Sequence, residues 1–152
     1  MTFEELISAL GERLGVDLKA EDGSCVITVD DMVVTLMSLP DSDRLAVHGE
    51  IGDPPPEGLG QLLSAMLEAN HLFAGTAGAT ISRDHETGRF HLCRHEPLPT
   101  LDADSLAALV ESFVNTLEIW RMAIASYRPV AKSAAEGTDE APQFGATGFV
   151  QV

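Results

Sequence analysis

The sequence predicts an α+β domain: a small antiparallel sheet with three helices. Three observations carry this. Apolar residues recur at helical spacing in three separate stretches, near residues 3–14, 59–70 and 104–124. Between the first two lie three strand-like runs joined by short polar links. Between the last two lies a hairpin with strong turn chemistry, Asp84-His85-Glu86-Thr87-Gly88.

In the first stretch, Phe3, Leu6, Ile7, Leu10 and Leu14 fall on one helical stripe. Thr2 followed by Glu5 fits a capping box, in which hydroxyl and carboxylate each take up an orphan N–H. Gly15 supplies the stop. The helix therefore covers about residues 2–14. Ser24 to Val29, Met32 to Met37 and Arg44 to Glu50 then read as strands. Asp30-Asp31 and Pro40-Asp41-Ser42-Asp43 join them as turns, and an antiparallel meander is the simplest pairing. The second strand, Met32-Val33-Val34-Thr35-Leu36-Met37, is largely apolar on both faces. A strand wetted on one side should alternate. Either both sides are covered within the monomer, or one side is left for a partner.

Ile51 to Gly60 carries three consecutive prolines and breaks the sheet. A stiff connector is the plain reading. A second helix follows, ending near Asn70, with Leu59, Leu62, Leu63, Met66 and Leu67 as its stripe. It is too short to stand alone. After a Gly/Ala-rich connection, Ala79, Ile81 and Arg83 alternate with Thr80, Ser82 and Asp84 on one hairpin strand. Phe90 and Leu92 alternate with His91 and Cys93 on the other. Gly88 provides the positive φ that closes the loop. Pro97-Leu98-Pro99 ends the sheet. The third helix starts near Asp102 or Asp104, either of which suits a cap. It buries Leu106, Leu109, Val110, Phe113, Leu117, Trp120 and Ile124. From Pro129 periodicity stops, and residues 129–152 read as a disordered tail behind a single domain over residues 1–128. The closing GFVQV could dock as a strand, but an idle tail is the simpler expectation.

Composition narrows the function. The chain has 152 residues, 24 acidic against 9 basic, and a formal net charge of −15. Such a surface repels phosphates, so nucleic acid and membrane insertion are not expected. No apolar run approaches the ~18 residues of a membrane span, and the acidic N-terminus is no signal peptide. Cys25 and Cys93 lie far apart and read as two reduced thiols. Phosphate-loop, nucleophile-elbow, zinc-protease and dinucleotide motifs are absent, so no catalytic residue and no cofactor is expected.

One constellation invites metal chemistry. His91, Cys93 and His95 alternate on one strand and share a face, with His85 or His48 as a possible fourth ligand. Neighbours two apart on a strand stand about 7 Å apart. All three reach one ion only through a bulge, so a strand that tolerates histidines is the plainer reading.

Taken in order, these segments resemble a known family. The motifs are LLxxxLxxN over Leu62 to Asn70, DxxTGxxxL over Asp84 to Leu92, the Pro97-Leu98-Pro99 break, and Phe113, Val114 and Trp120 in the last helix. They resemble the class I type III secretion chaperones of the CesT/Tir-chaperone family, over about residues 1–128. The resemblance implies the order α1-β1-β2-β3-α2-β4-β5-α3 and a homodimer. It also implies the cytoplasm of a Gram-negative bacterium, and an ATP-independent role without cofactor. Such a chaperone holds the N-terminal segment of a secreted effector extended, soluble and ready for export. By the same resemblance, effector contacts map to Leu6, Leu10, Met32, Val34, Leu36, Leu45 and Val47. The dimer interface maps to Leu62, Leu63, Met66 and Ile81. The competing expectations are a YbjN-like regulator of the same fold, outside secretion, and a small ligand- or metal-binding protein.

Overall fold

A computed structural model of the chain describes residues 1–131. Helix α1 spans Phe3–Leu14, followed by strands β1 (Ser24–Val29), β2 (Met32–Leu39) and β3 (Arg44–Gly52). Helix α2 (Leu59–Asn70) runs into a 3-10 turn, His71–Phe73. Strands β4 (Thr80–Arg83) and β5 (Phe90–Pro97) precede helix α3 (Ala103–Ala125). The five strands form one antiparallel sheet in the order β1-β2-β3-β5-β4.

Local chemistry explains the boundaries. Thr2 closes the capping box on α1: the Glu5 N–H donates to its hydroxyl at 3.2 Å, and its own N–H donates to Glu5 at 2.7 Å. Gly15 ends the helix in the left-handed conformation. Of the two aspartates available, Asp102 caps α3, accepting from the Ser105 N–H at 2.8 Å. In the β4–β5 turn the Asp84 carboxylate accepts from the Glu86 N–H at 3.0 Å and the Thr87 hydroxyl at 2.6 Å. These bonds favour the ionised carboxyl and hold its pKa below the usual range, the Thr87 contact most.

Helices α1 and α3 lie against one face of the sheet, and the core sits between them. Phe90, Phe113, Leu6, Ile7, Leu10, Leu36, Leu45, Leu92, Leu106 and Leu117 are fully buried there. Close approach of α3 requires Gly49 on β3, where an added Cβ would stand 2.6 Å from Leu117 and 3.3 Å from Phe113. Trp120 is only half-buried. Its indole N–H donates to the Gly75 carbonyl at 2.9 Å and ties α3 to the connection after α2.

The start of the expected tail is placed. Gln61 and Val130 exchange two hydrogen bonds, at 3.0 and 3.3 Å, and Tyr127 donates to the Gly58 carbonyl at 2.9 Å. Residues 132–152, including the closing GFVQV, lie outside the described residues.

An uncovered sheet face and an open edge

Strand alternation sorts every sheet residue onto one of two faces. The covered face takes Cys25, Ile27, Met32, Val34, Leu36, Leu45, Val47, Ile51, Phe90 and Leu92, all buried. The other face has no helix packed on it among the described residues. Across it runs a transverse row, Val26, Thr35, His48, Cys93 and Thr80, set by the pairing register. A second row holds Ser24, Met37, Ala46 and His95. Val26 is 58% exposed and Val33 is 55% exposed, while Thr35, Met37, Ala46, His48, His91 and Cys93 are half-buried by their neighbours alone. Arginine contacts frame the face. Arg89 joins Glu50 at 3.2 Å and Asp53 at 2.9 Å at one end, and Arg44 contacts His95 Nδ1 at 2.8 Å at the other. At the centre the rings of His48 and His91 stack, with centroids 4.9 Å apart and planes 21° from parallel. Burial pushes the His48 pKa down, His91 beside it pushes the same way, and Glu50 opposes.

The two sheet edges differ. At β4 the N–H and C=O of Ile81 point outward, and Asn70 satisfies both. Ile81 donates to Asn70 Oδ1 at 2.9 Å, and Asn70 Nδ2 donates back to the Ile81 carbonyl at 3.1 Å. At β1, the sequence Ser-Cys-Val-Ile-Thr-Val carries no proline or charge; Glu21 takes both backbone groups of Ser24, at 2.7 and 2.9 Å, and the rest of the strand pairs with β2 alone. It keeps the backbone of an unprotected edge.

The expected effector residues lie on α1 and on the covered face of the sheet. Leu6, Leu10, Met32, Val34, Leu36, Leu45 and Val47 all belong to the core, none more than 4% exposed. Leu6 and Leu10 face inward from α1, and the five strand residues point to the face that α1 and α3 cover. The open face carries the opposite parity: Val26, Val33, Thr35, Met37 and Ala46. Of the two options for β2, the strand is covered on one side only.

The expected dimer residues are placed as follows. Leu62, Met66 and Ile81 are buried within the monomer, and Leu63 is half-buried. The apolar side chains that α2 and its 3-10 turn present to solvent are Leu67, Leu72 and Phe73, at 71%, 83% and 52% exposure. Leu72 and Phe73 both hold positive φ, 52° and 57°, a conformation costly for bulky side chains. No pattern of apolar spacing signals such a turn.

The three candidate metal ligands stand apart. His91, Cys93 and His95 do share a face, but His95 turns to Arg44, and His91 stacks on His48 rather than converging with Cys93. Among the described residues no group of three or more His, Cys, Asp or Glu could hold a metal ion. Burial raises the pKa of both Cys25 and Cys93, so both are held as thiols. A separate groove of about 630 Å³ lies between Met32, Ile51, the Pro54–Pro56 run and the end of α3 at Met122, Ile124 and Tyr127. No helix among the described residues is long and apolar enough to cross a membrane.

Known structures share this architecture. A chain of the HopA1–SchA chaperone–effector complex aligns with a TM-score of 0.67 at 21% identity, covering 79% of this chain and 93% of its own. A chain of the ExsC–ExsE complex gives 0.67 at 20%, covering 84% and 94%. The complex of the Yersinia pestis type III secretion chaperone SycH with a fragment of YscM2 gives 0.64 at 20%, covering 78% and 99%. At these identities the likeness establishes the fold. An uncharacterised protein from Methanothermobacter thermautotrophicus also shares it, with a TM-score of 0.57 at 11% identity, covering 82% and 97%. No curated protein matches the chain. The model of the Tir chaperone protein (CesT) family matches residues 5–121, from the first turn of α1 to the last turns of α3, and the chain belongs to that family.

Proposed function

We propose that this protein is a cytoplasmic chaperone that binds the N-terminal segment of a type III secreted effector and keeps it soluble and export-competent without ATP. The observation that carries the reading is the uncovered sheet face beside the open β1 edge. A folded protein gains nothing by leaving Val26, Val33, Met37 and Ala46 on one unroofed surface unless something covers it. An extended segment can pair by its backbone with the β1 edge at one end and cross that face with apolar side chains along the rest of its length. Membership of the CesT family and the chaperone–effector complexes among its structural relatives support the same partner class. The chemistry required is binding, and no catalytic residue enters it.

A second copy of the chain is the other partner in this reading. Leu67, Leu72 and Phe73, with Leu63 at their margin, form the surface offered for it. The dimer doubles the capture surface, so one wrapped segment engages two copies with a high effective concentration at the second. The −15 charge keeps the half-coated complex in solution.

The test is capture from the protein's own host. The tagged protein should co-purify with one secreted protein whose N-terminal stretch resists protease in the complex. Recovery of the chaperone alone would reduce the reading to a dimeric binding protein outside secretion. The archaeal relative of the same fold gives that alternative its footing.

A further inference from the structure

At the middle of the open face sit two groups that apolar capture does not need: the stacked imidazoles of His48 and His91. The other titratable groups facing them are already engaged or distant in character. Glu50, opposite His91, is paired with Arg89 at 3.2 Å. Cys93, opposite His48, contacts the Ser82 hydroxyl at 3.8 Å and is held as a thiol. His95 contacts Arg44, and Asp84 is bound within its own turn. From β2 the facing residue is Thr35, which carries no charge. Of the carboxylates, Glu50 favours charge on His48, but burial and then His91 outweigh it. His91 Nδ1 is sealed from solvent without any hydrogen-bond partner. An imidazolium there would hold a buried N–H with nothing to donate to. Charging both rings would also place two like charges about 4.9 Å apart.

We propose that the His48–His91 stack makes capture on this face dependent on pH. An apolar extended segment laid over the face closes both rings off from water, and both must be neutral in that state. Acidification through the imidazole range then releases the segment. This rests on the open face being the capture surface. The sign follows from linkage. Covering the rings lowers their pKa in the complex relative to the free protein, so binding expels protons. Affinity is full above the free-state imidazole range and falls as pH drops through it, by up to about tenfold per pH unit for each ring. The lowering of His48 already present in the uncovered protein, by burial and then by His91, runs in the same direction.

Nile red, a neutral apolar dye, is a suitable probe on the full chain. Its affinity should fall by about tenfold or more between pH 7.5 and 5.5 in the wild type. In a His48→Gln, His91→Gln double variant it should change by less than about twofold. An unchanged wild-type affinity, or the same fall in the variant, overturns the proposal. Imidazole resonances of the unaltered protein give an independent readout. Both histidines should titrate at lower pH with dye bound than without, and unmoved midpoints overturn it as well. A co-purified secreted protein held equally at pH 7.5 and 5.5 would sink the gate and leave the chaperone reading standing. A gate seen with the dye, and no secreted partner at any pH, would do the reverse.

Discussion

Val33 and Val34 are neighbours in the chain, and the structure assigns them opposite fates. Val34 is fully buried beneath the helices, while Val33 is 55% exposed on the open face. Apolar content alone could not separate them, because both faces of Met32–Met37 are apolar. Separating them required knowing which face α1 and α3 cover, and that is a tertiary fact. Val33→Asp should therefore leave thermal unfolding nearly unchanged and abolish effector capture. Val34→Asp should prevent folding, since an unpaired carboxylate in the core costs more than about 4 kcal/mol. Circular dichroism and pull-down on the two variants read this directly, and equal behaviour of the pair would refute the face assignment. Gly49 is a second residue whose role was invisible in sequence. A methyl there meets Leu117 at 2.6 Å, so Gly49→Ala should lower stability by about 1–3 kcal/mol in a denaturant titration.

The helices and strands themselves were largely legible. Capping chemistry fixed the start of α1 at Thr2 and of α3 at Asp102, and turn chemistry fixed the β4–β5 hairpin. Strands β2 and β3 each run two residues beyond the expected ends, to Leu39 and Gly52, because their backbone pairing continues past the apolar alternation. The surface of α2 was read less well. Its stripe is one-sided in sequence, but Leu62 and Met66 pack inward while Leu67 points out. Leu67→Glu with Phe73→Glu should give a monomer by light scattering with the fold retained, whereas Met66→Glu should unfold the domain. A persisting dimer in the first variant would exclude that surface. Asn70→Ala removes both bonds to Ile81 and should raise amide exchange in β4 while leaving β2 protected. Uniform exchange across the two strands would show that the edge is held by other means.

For the molecule as a whole, charge and the proposed capture surface serve separate ends. Among the described residues no acidic side chain is buried, while the open face carries valine, methionine, alanine and imidazole near its centre. Capture driven by apolar burial should therefore persist in about 1 M salt, where screening acts within about 3 Å. Loss of the partner at that ionic strength would mean that ion pairs hold it. The overall class, the element order and the acidic exterior follow from composition and periodicity. The open face does not, because only the packed domain shows where its helices fail to reach. Asn70 has one further consequence. With its side chain bonded to both outward groups of Ile81, β4 offers no continuation of the ladder there, and β1, open beyond the Ser24 that Glu21 holds, is the edge left for pairing among the described residues. Chains that can be extended from a single end make pairs and then stop. Pairing edge to edge alone therefore joins no more than two sheets.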